Sequence, residues 1–148
     1  MNRSPAEILR DARTIAVVGA SPRAGRPSND VMGYLLSVGY RCIPVRPADC
    51  DEVLGVACLR SLAEIEEPID LVDVFRRQDY CPDVARDAVA AGAKALWLQS
   101  GIVSAEAREI AESAGLDYVE DECTKVVHLL HLRLGGQDRR LRRRSSSA

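Results

Sequence analysis

The chain has 148 residues, 47% of them apolar and 28% charged, a balance that predicts a soluble globular protein built on one core. One Trp, one Phe and four Tyr are too few for a base-stacking platform, which argues against a nucleic-acid ligand. The apolar runs are too short to cross a membrane, and MNRSPAEILRDAR lacks the apolar segment and cleavage site of a secretory signal, so a cytoplasmic protein is expected. The net charge of −2 conceals an asymmetry. Residues 137–148 hold five Arg and one Asp, leaving 15 basic and 21 acidic side chains in the body at 1–136. Low-complexity and without apolar periodicity, 137–148 is expected to be a disordered basic tail.

In chain order, TIAVVG (14–19) reads as a fully buried strand. SNDVMGYLLSVG (28–39) has helical apolar spacing at Val31, Met32, Leu35 and Leu36, and Gly39 marks its end. YRCIPV (40–45) is the second strand. A short extra edge strand is placed near Val56-Ala57-Cys58, and LAEIEE is a short helix. DLVDVF (70–75) is the third main strand. CPDVARDAVAAG (81–92) is a helix with Pro early and Gly at its end. AKALWLQ (93–99) is the fourth strand, with Trp97 in the core, and SAEAREIAESAG (104–115) is a helix capped by Ser104. DYVE (117–120) and ECTKVVHLLHLRL (122–134) close the chain as a strand and a helix. This alternation predicts an α/β fold: a doubly wound parallel sheet of about five strands, ordered 2-1-3-4-5, with helices on both faces. The five cysteines are odd in number, irregularly spaced and without a CxxC pair, so they read as reduced thiols.

Ligands of such sheets bind beyond the carboxyl ends of the strands, where strand order reverses. The loop VGASPRAGRPS (18–28) reaches that point. Gly19 permits a close turn, Ser21 supplies a hydroxyl, and Arg23 and Arg26 supply charge. Pro27 suits a first helical position, and Ser28 follows in the first turn. A helix beginning there offers free N–H groups and a positive dipole end to an anion. The loop has neither the GxGxxG spacing nor the Walker lysine. Where an NAD site carries an acidic residue after the second strand, this chain has Arg46, which suits a phosphorylated ribose. NADP and coenzyme A both fit that description. Phe75 can cover an adenine or a pantetheine arm, and Arg76 adds charge. Gln99 and Ser100 bring polar groups to the fourth strand, and Gly101 allows close backbone approach.

The words VVGASPRAGRPS, GYRCIPVRP, EVLG, SLAEI, VDVFRR, GAKALWLQSG and DECTKVVH, in this order across about 14–130, resemble the small CoA-binding protein family. That family has a Rossmann-like fold similar to the CoA-binding domain of the succinyl-CoA synthetase alpha subunit. The resemblance implies that coenzyme A is the ligand, free or acylated. It implies phosphate contacts through Ala20, Ser21, Pro22 and Arg23, with Arg26 and Ser28 nearby. Arg46 is placed by the adenosine phosphate, and Phe75, Arg76, Gln99 and Gly101 along the cofactor. Arg46-Pro47 departs from the Asn-Pro often found in the family. Asp121, Cys123 and His128 match its D-x-C-x-x-x-x-H ending.

His128 and His131 share a helix face, but no further metal ligand is evident, and no nucleophile motif stands out. The leading expectation is a CoA-binding module without catalysis of its own, as a carrier, a sensor or a subunit of an unidentified protein partner. The alternatives are an NADP-binding oxidoreductase or accessory subunit, disfavoured by the broken glycine spacing, and an acyl-CoA enzyme acting through Cys123 or His128.

Overall fold

Val, Ile and Leu dominate the runs that become strands, and both faces of those strands are buried, as a parallel sheet covered on two sides requires. The structure is a computed structural model that describes residues 2–133, so the segment expected to be a disordered tail lies outside the described residues. In chain order the elements are α1 (Pro5–Asp11), β1 (Thr14–Val18), α2 (Pro27–Ser37), β2 (Arg41–Val45), β3 (Glu52–Val53) and β4 (Val56–Ala57). They continue with β5 (Leu71–Val74), α3 (Cys81–Ala90), β6 (Ala95–Leu98), α4 (Ala105–Ser113), β7 (Asp117–Val119) and α5 (Thr124–His128).

Five strands form one parallel sheet in the order β2-β1-β5-β6-β7, the order expected from the sequence. Side-chain alternation divides the core in two. Ile15 and Val17 of β1, with Leu71, Ala95 and Trp97, pack beneath α1, α2 and α5 through Leu9, Met32, Leu35 and Val127. Ala16 and Val18, with Val72, Val74, Leu96 and Leu98, pack beneath α3 and α4 through Val84, Ala88 and Ala107. Because β1 pairs with β2 on one side and β5 on the other, the strand order reverses at its carboxyl end.

Four local features differ from expectation. α1 was not foreseen, although Ser4-Pro5-Ala6-Glu7 is a capping box. The Ser4 hydroxyl accepts from the Glu7 N–H at 3.2 Å, and the Ser4 N–H donates to the Glu7 carboxylate at 3.0 Å. LAEIEE forms one 3-10 turn at Leu62–Glu64, with Pro68 soon after. The extra edge strand is half of a separate antiparallel hairpin, β3-β4. Its turn at Leu54-Gly55 takes φ of +52° and +80°, and it meets the main sheet through a bridge from Val45 to Leu59. The last helix widens after His128 into a π-helical turn at Leu129–Arg133.

One glycine holds the site end of the sheet together. Gly19 leaves β1 with φ +86°, and a Cβ there would stand 2.7 Å from the Phe75 carbonyl oxygen. The close approach is therefore to the neighbouring strand end. Gly92, after α3, has φ +72° with nothing within 4 Å of such a Cβ. Gly92→Ala should cost about 1 kcal/mol, the strain of a left-handed residue alone. Gly19→Ala should cost about 3 kcal/mol or more, because backbone must also shift. Urea unfolding of the two variants checks the difference.

Candidate functional site

The loop leaving β1 is stitched by its own polar groups. The Ser21 N–H donates to Ser28 Oγ at 3.0 Å, the Arg23 N–H donates to Ser21 Oγ at 3.2 Å, and Asn29 Nδ2 donates to the Ser21 carbonyl at 3.0 Å. Ser21, Ser28 and Asn29 are buried by this, while Arg23 and Arg26 are exposed. Pro27 opens α2, and no side chain caps it. The amides of Ser28 and Asn29 find no acceptor among the described residues. By contrast, Ser4 caps α1 and Ser104 caps α4.

That uncapped end opens into a cleft of about 660 Å³, within the range of about 300–1,000 Å³ usual for small-molecule sites. Gly19, Ser21, Pro22, Arg23, Arg26, Pro27 and Ser28 form one wall. Arg46, Phe75, Gln99 and Ser100 enter from the ends of β2, β5 and β6. Arg23, Arg26 and Arg46 make no ion pair among the described residues. Arg46 Nη1 donates to the Ala20 carbonyl at 3.3 Å, and its Nε is sealed from solvent without an acceptor. Three guanidinium groups and a helix N-terminus thus converge on one space, which favours an anion.

Four of the residues singled out in the sequence stand outside the lining. Ala20 is fully buried behind the loop. Pro47 is exposed beyond Arg46. Arg76 turns aside to lay its guanidinium over the Tyr80 ring, 4.2 Å from the centroid. The Gly101 N–H donates to Asp121 Oδ1 at 2.7 Å, which serves the β6–α4 loop itself. Sequence reasoning did not place Val31, Ile102 or Cys123 in the cleft, yet all three line it. The Trp97 indole N–H brings Cys123 there. It donates to the Glu122 carbonyl at 2.7 Å and so pins the segment before α5 over the end of the sheet.

Beneath the cleft lies a carboxyl that the sequence reading passed over. Asp73 is fully buried on β5, under α5. Gln99 Nε2 donates to its Oδ1 at 2.6 Å, and Thr124 Oγ1 donates to its Oδ2 at 3.0 Å. Among the described residues no cation accompanies it. Desolvation pushes its pKa up to about 7, against the two hydrogen bonds, which pull it down. Burial, with the Asp73 charge adding to it, pushes the Cys42 thiol up to about 12, so that neighbour stays neutral.

A second groove lies at the other end of the sheet, lined by Arg10, Arg13, Arg41 and Arg133. It opens at the carboxyl ends of α1 and α2, where exposed carbonyls disfavour an anion. His128 lines this groove, with Nδ1 2.9 Å from the Tyr34 hydroxyl, and burial lowers its pKa. His128 and Cys123 therefore face different cavities. Among the described residues, no three His, Cys, Asp or Glu side chains gather as a metal site, and no helix is long and apolar enough to cross a membrane.

Strand order and cleft together define a doubly wound α/β protein with a basic pocket at its topological switch point. The chain matches the family model described as CoA binding domain over residues 13–129, and it belongs to that family. It is 43% identical over 122 residues to YneT of Bacillus subtilis (strain 168), covering 82% of this chain and 90% of that protein. It is similar in structure to a hypothetical protein from Pyrococcus horikoshii OT3, with a TM-score of 0.81 and 39% identity, covering 84% of this chain and 87% of the other. It is 25% identical over 126 residues to acetate–CoA ligase [ADP-forming] I of Archaeoglobus fulgidus, covering 78% of this chain. It spans only 18% of that ligase.

The buried carboxyl carries a prediction of its own. Because the folded pKa of Asp73 lies above the ordinary aspartate value of 3.8, the native state holds this proton more tightly than the unfolded chain. Its contribution to stability is greatest below pH 4 and is lost as pH rises to about 7, by on the order of 4 kcal/mol. The stability of the wild type relative to Asp73→Asn should fall across that window and level off above it. Urea unfolding of both proteins from pH 4 to pH 8 measures the difference.

Proposed function

We propose that the cleft binds coenzyme A. The observation that carries this reading is the uncapped start of α2, where the free Ser28 amide, with that of Asn29 next to it, adjoins a cleft lined by Arg23, Arg26 and Arg46, none ion-paired among the described residues. The diphosphate sits at those amides, beside Ser21, Arg23 and Arg26. Arg46 takes the ribose phosphate, and the pantetheine arm runs past Phe75 toward Gln99, Ser100 and Cys123. The protein is read as a CoA-binding module that takes free or acylated CoA without catalysis of its own. Membership of the CoA binding domain family favours CoA over NADP, the other nucleotide with an extra ribose phosphate.

Calorimetry tests the reading. CoA should bind more tightly than dephospho-CoA, because a charge-assisted contact to the ribose phosphate contributes about 1.5–3 kcal/mol. Equal affinities would remove Arg46 from its role. Arg23→Ala and Arg26→Ala should each weaken CoA by about 0.5–2 kcal/mol, less at high salt, because both side chains are exposed and screened. Unchanged binding in the folded double variant would leave the loop as a turn only.

One observation favours a second reading, an acyl-CoA enzyme: the Cys123 thiol lines the cleft. A thioester-cleaving activity abolished by Cys123→Ser would establish it. On the binding reading, Cys123→Ser and His128→Ala leave CoA affinity nearly unchanged.

A further inference from the structure

Asp73 is an expensive group to keep in the middle of a sheet. A carboxylate buried without a cation destabilises the fold unless its hydrogen bonds are complete. Its partners form a closed ring. Gln99 Nε2 donates to Asp73 Oδ1 at 2.6 Å and to Thr124 Oγ1 at 2.8 Å, and Thr124 Oγ1 donates to Asp73 Oδ2 at 3.0 Å. With the carboxyl ionised, every hydrogen in the ring has one direction. A flipped Gln99 amide would set its carbonyl oxygen 2.6 Å from a carboxylate oxygen with no hydrogen between them. The nitrogen must therefore point inward and the oxygen outward.

The outward atom meets the cleft. Gln99 is buried and lines the cleft, and its Oε1 has no donor among the described residues. With Nε2 committed inward to Asp73 and Thr124, Oε1 is the atom of this cleft-lining amide left for a ligand. β6, which ends at Leu98 just before Gln99, lies two strands from β1, roughly 10 Å at a spacing of about 4.8 Å per strand.

We infer that Asp73 is a positioning residue that locks Gln99 with its carbonyl oxygen facing the cleft, so that the site requires a hydrogen-bond donor from the ligand arm. The inference rests on the CoA reading above. An arm leaving a diphosphate at α2 passes Gln99 with one of its two amide N–H groups, and that amide is the donor. The nucleotide half of the ligand has no part in the contact. In Asp73→Asn the new amide can either accept from Gln99 or donate to it, so the lock is lost while shape is kept.

The test compares wild type and Asp73→Asn by calorimetry at pH 8, above the value of about 7 to which burial pushes Asp73. The ligands are CoA, two CoA analogues in which one or the other arm amide is an ester, and adenosine 3′,5′-bisphosphate, which has no arm. Wild type should bind one ester analogue about five- to tenfold more weakly than CoA. Asp73→Asn should bind CoA weaker by a similar factor and no longer distinguish that analogue. Both proteins should bind the bisphosphate alike, which a general distortion of the site would not allow. Wild type binding both analogues as tightly as CoA overturns the inference, and that comparison stands even if the variant does not fold. Retained discrimination by Asp73→Asn, or an equal loss for the bisphosphate, overturns it too. Wild type failing to bind CoA at all would instead remove the CoA reading, and the inference with it.

Discussion

At Gly19 the chain leaves β1 so close to the end of β5 that no side chain fits between them. The rest of the site depends on that approach. The Phe75 N–H donates to the Val18 carbonyl at 2.8 Å and the Gly19 N–H to the Val45 carbonyl at 2.9 Å, so β5 and β2 both hold β1 to its last residue. The loop that follows must rise out of the sheet between two strand ends. It carries Ser21 and the arginines over the switch point and delivers Pro27 to the start of α2. A wider turn would separate Phe75 from the loop and open the cleft on that side.

Two features that do not favour stability meet at this end. The first turn of α2 lacks a cap of the kind worth about 1 kcal/mol elsewhere, and Asp73 sits beneath the cleft without a counter-ion among the described residues. The opposite end of the sheet has no such pattern. There α1 carries a full capping box, Arg3 pairs with Asp117 at 2.6 Å, and Arg41 pairs with Glu67. Unsatisfied donors and a buried carboxyl therefore gather where the strand order reverses, as expected when the fold gives up local stability for a binding site.

Most of the fold was legible because buried parallel strands leave a plain mark. Runs such as TIAVVG and DLVDVF, each followed by a helical stretch, suffice for the sheet order. The hairpin at 52–57 was only half legible, since two-residue strands carry no periodicity. α1 was legible in principle, through Ser4 and Glu7, but its seven residues were read only for targeting signals. In the cleft, residues adjacent to strand ends, such as Arg46 and Gln99, were reachable by counting from the strands. Arg76 and Gly101 stand outside its lining, engaged instead by the Tyr80 ring and the Asp121 carboxylate. Asp73 was passed over because one acidic residue inside an apolar run shows nothing of its partners. Those come from Gln99 and Thr124, 26 and 51 residues away.

The central claim is that the free amides at the start of α2 receive the diphosphate of CoA. Amide NMR of isotopically labelled protein, titrated with CoA, tests it residue by residue. The account predicts that the Ser28 and Asn29 amide resonances move downfield as they gain a charged acceptor, with smaller shifts at Ser21 and Arg23. Shifts confined to Arg13, Gly39, Arg41 and their neighbours in the groove at the far end of the sheet would contradict it.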